Sequence, residues 1–389
     1  MSDVRTFDRD RASIAEAVLR RVGGDRAAVA AMLDEIAGGF SRRLHRATIA
    51  ALPSVLGAAF GRSTFDDRVR VEGPLASLRA LAATTTLVLA PTHASNLDSI
   101  VLGLVTGRAS LPPFAYAAGK HVFRNRAFAA LMHRLGAYRL DPDRRDRLYL
   151  RVVNVYVNEL IARGYHTVMF PSGTRCRSGE VEARIKLGLL GAAVHVRGPI
   201  AIVPVTINYQ VVLEAEHLIA YHLAGRSRER IVGDELFVWG RLADTARRFA
   251  ALDQRVVIRF DDPIDPHAAE RPWRSRLTGE LTAAWRRGTV FFATQIVARA
   301  LFDVDRGSAP AATVHAAIAQ ARERLAARPE LGRPCHGLDG ASPDELLDAA
   351  LSAWASWHHT PVAVRRGAAV DIENRALLLF YRNRSAHVV

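Results

Sequence analysis

Residues 84–99 read TTTLVLAPTHASNLDS. Thr84–Ala90 is a β-branched and aliphatic run of the kind suited to a buried strand. Pro91 closes the run, and small polar residues follow it. Ser95 or Asn96 is the expected helix N-cap, which puts Asp98 in the first helical turn. A strand running into a turn and then a helix is the unit from which an α/β sheet is built.

The same unit recurs outward. Arg68–Glu72 (RVRVE) alternates as a strand should, and Thr167–Phe170 (TVMF), Ile200–Ile207 (IAIVPVTI) and Arg255–Phe260 (RVVIRF) are further short apolar runs between helical stretches. This predicts an α/β fold with a central, mostly parallel or mixed sheet flanked by helices, ending near Pro263. Helical additions are expected on both sides. From Arg9 to about Phe40, Ile14, Val18, Leu19 and Val22 form an apolar stripe that Gly23-Gly24 breaks and Val29, Met32, Leu33 and Ile36 resume. Beyond Pro272 the pattern is helical to about Ser356, interrupted by a Pro/Gly-rich stretch at Arg328–Pro343. The expected organisation is an N-terminal helical segment over 1–64, an α/β domain over 65–265 and a C-terminal helical region over 266–389. The sequence contains no internal repeat or low-complexity tract.

Composition narrows the partners. With 49% hydrophobic and 24% charged residues, the 389-residue chain is globular in type rather than disordered. Its two cysteines, Cys176 and Cys335, form neither a disulfide framework nor a CxxC metal motif, which fits a reducing compartment. Lys and Arg outnumber Asp and Glu 53 to 39, a net charge of +14 that favours anionic partners. Neither zinc-finger spacing nor an aromatic RNA-binding block accompanies the arginines, so nucleic acid is not an expected partner. The N-terminus MSDVRTFDRDRAS has no apolar leader, and no run approaches the ~20 apolar residues of a membrane span. Ala47–Phe60, flanked by Arg42, Arg43, Arg46 and Arg62, suits either a bilayer interface or a buried helix.

Several segments carry chemistry. His93 follows the strand, and a carboxylate at Asp98 can hold its Nδ1–H and leave Nε2 as a general base. That spacing is common in a chain with 14 histidines, so its context has to decide. In VMFPSGTRCRSGEVE (Val168–Glu182) a strand runs into a turn where Gly173 admits close approach of an anion, Thr174 offers a hydroxyl and Arg175 a planar fork for phosphate oxygens. A generic basic loop reads the same way. Between them LGAYRLDPDRRD (Leu135–Asp146) places Arg139 after Gly136, and Arg144, Arg145 and Arg147 read as an exposed basic helix start. Pro204, inside IAIVPVTINY, suggests an edge or bulge position.

Taken in order, HASNLD, GAYRLD, FPSGTRCR and IVPVTINY resemble the four sequence blocks of the glycerolipid acyltransferase family, over about Arg68–Pro263. That family includes glycerol-3-phosphate and lysophosphatidate acyltransferases. The resemblance implies that the α/β domain is catalytic, with His93 as general base and Asp98 orienting it. It implies that Arg139, Gly173, Thr174 and Arg175 bind the acceptor phosphate, that Pro204 shapes the acyl-binding wall, and that Lys120 in AAGKHVF adds a basic group. The acceptor hydroxyl attacks an activated thioester, so no metal or other cofactor is expected beyond acyl-CoA or acyl carrier protein as co-substrate. Cys176 is expected to be passive. Ser172 stands where many lysophosphatidate acyltransferases have Glu, and is similar to the plastid-type glycerol-3-phosphate enzymes. LLLFYRNRSAHVV (Leu377–Val389) resembles the C-terminal region of the large bacterial glycerol-3-phosphate acyltransferases, and it also reads as a helix packing Leu377–Phe380 on the core.

The expected reaction is therefore acylation of the sn-1 hydroxyl of glycerol 3-phosphate, with lysophosphatidate or dihydroxyacetone phosphate as alternative acceptors. The expected setting is cytoplasmic, peripheral on the inner face of the cell membrane, with an anionic membrane surface and an acidic carrier protein as partners. From another class, a non-catalytic basic membrane-surface protein would keep the same fold.

Overall fold

A computed structural model of the chain describes residues 7–41, 43–51, 65–123, 126–141, 143–182, 185–225, 254–268, 272–304, 307–338 and 340–388. The TTTLVLA run forms a strand in the middle of a seven-stranded sheet. In chain order the strands are β1 (Val69–Glu72), β2 (Thr86–Pro91), β3 (Ala115–Gly119), β4 (Ala137–Leu140), β5 (Thr167–Val168), β6 (Ile200–Tyr209) and β7 (Val256–Phe260). Their spatial order is β1-β7-β6-β2-β5-β3-β4. Every neighbouring pair is parallel except β6 with β7.

The unbroken apolar runs follow from burial on both faces. Leu87, Leu89, Val203 and Val205 face one layer, while Val88, Ala90, Ile200 and Ile202 face the other. The first layer holds helices Asp98–Arg108, Ala293–Val304, Ala311–Ala326, Pro343–Ala355 and Arg375–Asn383. The second holds Phe7–Val22, Arg26–Ile36, Arg147–Ala162 and Trp273–Arg287. From that second layer the fully buried Trp285 donates its indole N–H to Ala90 O at 3.0 Å, fixing the end of β2. Truncating it to Ala would cost about 3–5 kcal/mol, the usual penalty for an emptied aromatic site.

Helix Arg375–Asn383 buries Leu377, Leu378, Phe380 and Tyr381 in the same core as Leu87 and Val203, so the C-terminal region packs directly on the sheet. That region is not wholly helical, contrary to the periodicity. Ser308–Pro310, Ala363–Arg366 and Ala369–Ile372 form a small antiparallel sheet, and Val290–Phe291 pairs with Arg333–Pro334. Strands of two to four residues leave no period for a sequence to display.

Two local expectations change. Neither Ser95 nor Asn96 caps the helix: it begins at Asp98 behind Leu97, with no side-chain cap. The Ser95 hydroxyl is engaged instead with Glu214 (2.9 Å) and Leu97 N (3.2 Å). Pro204 is in a central strand, not an edge, but the bulge is real. β7 pairs with β6 up to Phe260–Val205, Pro204 O then accepts from Asp261 N at 3.0 Å, and contact resumes only at Ile264–Ile202. The ladder is interrupted where proline has no N–H to give.

Helix residues 43–51 cover the start of Ala47–Phe60, and the rest of that segment lies outside the described residues. Among the described residues, no helix is long and apolar enough to cross a membrane.

Candidate active site

The end of β2 is held in register by Thr92, whose N–H donates to Val205 O (2.9 Å) and whose hydroxyl accepts from Ile207 N (3.0 Å). The chain then loops through His93–Leu97 into the helix that starts at Asp98. Asp98 has no solvent exposure, and its carboxylate is saturated by donors. Oδ2 accepts from His93 Nδ1 (2.8 Å), Ala94 N (2.7 Å) and Ser95 N (3.0 Å), and Oδ1 accepts from the Tyr209 hydroxyl (2.7 Å). Burial, with the Asp98 charge beside it, pushes the Tyr209 phenol well above its usual range, so it remains a donor.

His93 is fixed on every side but one. Its backbone N–H donates to Glu182, its carbonyl accepts from Cys176 N at 2.8 Å, and its ring stacks on Phe170 with centroids 4.3 Å apart. With Nδ1 on Asp98 and 21% of the side chain exposed, Nε2 is left for a reactant. An imidazole held in this way can take up a proton at Nε2.

Two further buried carboxylates surround the loop. Glu214 accepts from the Ser95 hydroxyl and from Asn96 N (2.8 Å), and Arg175 stands 3.7 Å away. Burial pushes the Glu214 carboxyl up, and the Arg175 charge pulls it back. Glu182 adopts φ +45°, an uncommon backbone for a residue with a side chain. Burial raises its carboxyl to about 7, opposed by the His93 N–H and the Arg384 charge.

The Gly173–Arg175 turn follows β5. Gly173 N donates to Phe170 O (3.0 Å), and its φ of +67° lies in the left-handed region that favours glycine. Gly173 and Thr174 are exposed, and a Cβ at 173 would meet Lys186 Cδ at 3.4 Å and Nζ at 3.7 Å. The Lys186 ammonium thus overhangs the turn, its backbone pinned by a 2.6 Å bond to Pro171 O. Arg175 is 11% exposed and leans on Glu214, and Arg177 lies over the Tyr221 ring at 5.8 Å.

His93, the Gly173–Arg175 turn, Lys120 and Arg139 all lie toward the carboxyl edge of the parallel strands, the usual place for a site in such sheets. They are not one cluster. Arg139 is on β4, two strands from β5 and so about 10 Å across the sheet. It pairs with Glu35 at 3.3 Å, and Lys120 pairs with Asp141 (2.9 Å) and Asp143 (2.8 Å). Pro204 is buried beside Ala90 inside the sheet. Arg147 opens its helix behind the N-cap Asp146, and Arg144 lies over Tyr149 at 4.3 Å.

The motif reading missed Tyr209, Glu214, Glu182, Lys186 and Arg384. Tyr209 ends the IVPVTINY block, and Lys186 follows the turn in ARIKLG, so both were close to segments already singled out. Glu214 and Arg384 act across long sequence separations that spacing does not reveal. A pocket of roughly 420 Å³, its open mouth included, lies beside the dyad and is lined by Ala94, Cys176, Tyr209, Phe380 and Arg384 among others. Among the described residues, no group of three or more His, Cys, Asp or Glu is arranged to hold a metal ion.

Residues 68–208 match the family described as Acyltransferase. Over 230 residues the chain is 28% identical to a glycerol-3-phosphate acyltransferase of Pseudomonas paraeruginosa, covering 56% of this chain and 26% of that protein. It is 29% identical over 238 residues to the protein of the same name from Ectopseudomonas mendocina, covering 58% and 27% respectively. A third, from Pseudomonas fluorescens strain SBW25, is 29% identical over 229 residues, 55% of this chain and 26% of the relative. The match spans about a quarter of the length of these curated relatives. His93, Asp98 and the Gly173–Arg175 turn all fall within the residues that match the family described as Acyltransferase.

Proposed function

We propose that the protein transfers an acyl group from a thioester, acyl-CoA or acyl carrier protein, to the sn-1 hydroxyl of glycerol 3-phosphate. The observation that carries this reading is an imidazole clamped by Asp98 at 2.8 Å, its Nε2 open, on the same sheet edge as a glycine turn with Arg175 and Lys186. The names of the relatives, glycerol-3-phosphate acyltransferase, support the acceptor.

In this mechanism Nε2 takes the hydroxyl proton as the oxygen attacks the thioester carbonyl. The Asp98 carboxylate stabilises the imidazolium that forms. Collapse of the tetrahedral oxyanion gives the ester and expels the thiolate, which recovers the proton from His93. Every bond and proton is accounted for without a metal or redox cofactor.

Acceptor phosphate would be held at Gly173, Thr174 and Arg175, with Lys186 above them. Fixing the phosphate converts hydroxyl attack into a positioned step, where most of the advantage of such a site lies. Arg139 and Lys120 would extend the basic rim along the same edge. They would act on incoming phosphates mainly through their field, since each already faces a carboxylate. The net charge of +14 supports peripheral attachment to an anionic bilayer and attraction of an acidic carrier protein.

The test is an acceptor assay with labelled acyl-CoA and acyl carrier protein. Transfer to glycerol 3-phosphate in preference to lysophosphatidate and dihydroxyacetone phosphate is expected. No transfer to any of the three would sink the reading. Sedimentation with anionic vesicles at low salt tests the membrane part, and protein left wholly in the supernatant would contradict it.

A further inference from the structure

Glu214 stands just beyond the residues that match the family, yet its carboxylate reaches back into the His93 loop. It is the N-cap residue of helix Ala215–Leu223, where a carboxylate ordinarily accepts from the first amides of its own helix. It makes no such cap. Instead Oε2 accepts from the Ser95 hydroxyl at 2.9 Å and Oε1 from Asn96 N at 2.8 Å, with only 4% of the residue exposed. The C-terminal region pins the chain on both sides of it. Val212 N donates to the Tyr381 hydroxyl (3.3 Å), the Trp357 indole N–H to Leu213 O (2.9 Å) and His359 N to Glu216 Oε1 (3.1 Å).

From Glu214 a continuous run of contacts leads to the base. The Ser95 hydroxyl donates to Glu214 and accepts from Leu97 N at 3.2 Å, which fixes its direction. Ser95 N donates to Asp98 Oδ2 (3.0 Å), the same oxygen that holds His93 Nδ1 (2.8 Å). On its other side, Glu214 Oε1 lies 3.7 Å from Arg175 Nη1 in the Gly173–Arg175 turn. One buried carboxylate therefore meets the loop of the base with hydrogen bonds and the arginine of the turn with its charge.

We infer that Glu214 is a positioning residue that joins the acceptor-phosphate turn, through Arg175, to the loop that carries His93. The inference deepens the acyl-transfer reading and rests on it. Base and phosphate anchor come from different strands, and their separation decides whether a bound hydroxyl reaches Nε2. A carboxylate shared between them sets that separation.

The experiment uses Glu214→Ala, Glu214→Gln, Ser95→Ala and Arg175→Ala in the full chain. Glu214→Ala should lower kcat about 10- to 100-fold by loosening the loop. Glu214→Gln keeps an acceptor for Asn96 N and an amide that can bond Ser95 Oγ, so it should restore kcat to within about threefold of wild type. Ser95→Ala should lower kcat about 10-fold and leave KM for glycerol phosphate within about twofold, because the Arg175 contact is intact. A Ser95→Ala protein with wild-type kcat would overturn the link to the base, even if Glu214→Ala failed to fold.

Two further readouts need no turnover. At mildly alkaline pH, Arg175→Ala should lower Tm more in the wild-type background than in Glu214→Gln, since only the former leaves a buried charge unmatched. Equal losses in the two backgrounds would overturn the link to the turn. The ring-nitrogen NMR signals of His93 should move in Ser95→Ala, and unchanged signals would overturn the link to the base. Absence of acyl transfer by the wild type would instead sink the functional reading, while these two readouts would still decide whether Glu214 joins the two segments.

Discussion

The two ends of the basic edge are built differently. Around His93, carboxylates are buried and accept hydrogen bonds from backbone amides and a tyrosine, with an arginine charge 3.7 Å from Glu214. Around Lys120 and Arg139, the charges are partly exposed and meet Asp141, Asp143 and Glu35 at the surface. A charge in the first setting is held in one geometry and is costly to disturb. In the second it is screened by water and salt, and exposed pairs of this kind contribute about 0.2–1 kcal/mol. Placing a proton at one atom needs the first construction, and attracting an anion needs only the second.

Substitutions should separate the two ends. The largest effect is expected for Asp98→Ala, which orphans the Tyr209 hydroxyl and two backbone N–H groups along with the imidazole. Buried donors left unpaired cost about 1–3 kcal/mol each, so Tm should fall together with a loss of about 10²-fold or more in kcat. A variant with wild-type Tm would break the contrast at its strong end.

Arg175→Ala should come next. It raises KM for glycerol phosphate and leaves Glu214 buried without its facing cation. That lifts the Glu214 carboxyl further, so the variant should lose stability as pH rises and recover on acidification. Thermal melts across pH check the sign, and an unchanged pH slope would show that the Arg175–Glu214 contact is not electrostatic support.

Lys120→Ala and Arg139→Ala should be milder, lowering kcat/KM in low salt and converging on wild type as salt is raised. A salt-independent loss in either would move that residue into the rigid half of the site. Cys176→Ser should have the smallest effect, since it keeps the backbone N–H to His93 O at 2.8 Å and puts a hydroxyl where Sγ meets Ser178 Oγ at 3.5 Å. A collapse of turnover would mean that the thiol reacts.

How much was legible in the sequence follows the same division. β2 and β6 were readable because strands covered on both faces are continuous apolar runs, and the dyad was readable because its members are five residues apart. β3 (AYAAG) and β4 (AYRL) were not recognised as strands, because small and mixed residues carry little β signal. The supporting carboxylate Glu214 lies 119 residues from the Ser95 hydroxyl it accepts from, and Arg384 lies 177 residues from Ile207. Only the folded sheet brings them together. For Arg139 and Lys120 the sequence named the residue types but not the carboxylates already facing them.

The central claim is that His93 is a base aimed at a hydroxyl on a phosphate-anchored acceptor. It is tested most directly by acyl transfer to glycerol 3-phosphate in wild type and His93→Ala at matched Tm. The account predicts transfer by the wild type and a loss of about 10²-fold or more in the variant, as expected when a general base is removed. Equal turnover by the two proteins would contradict it.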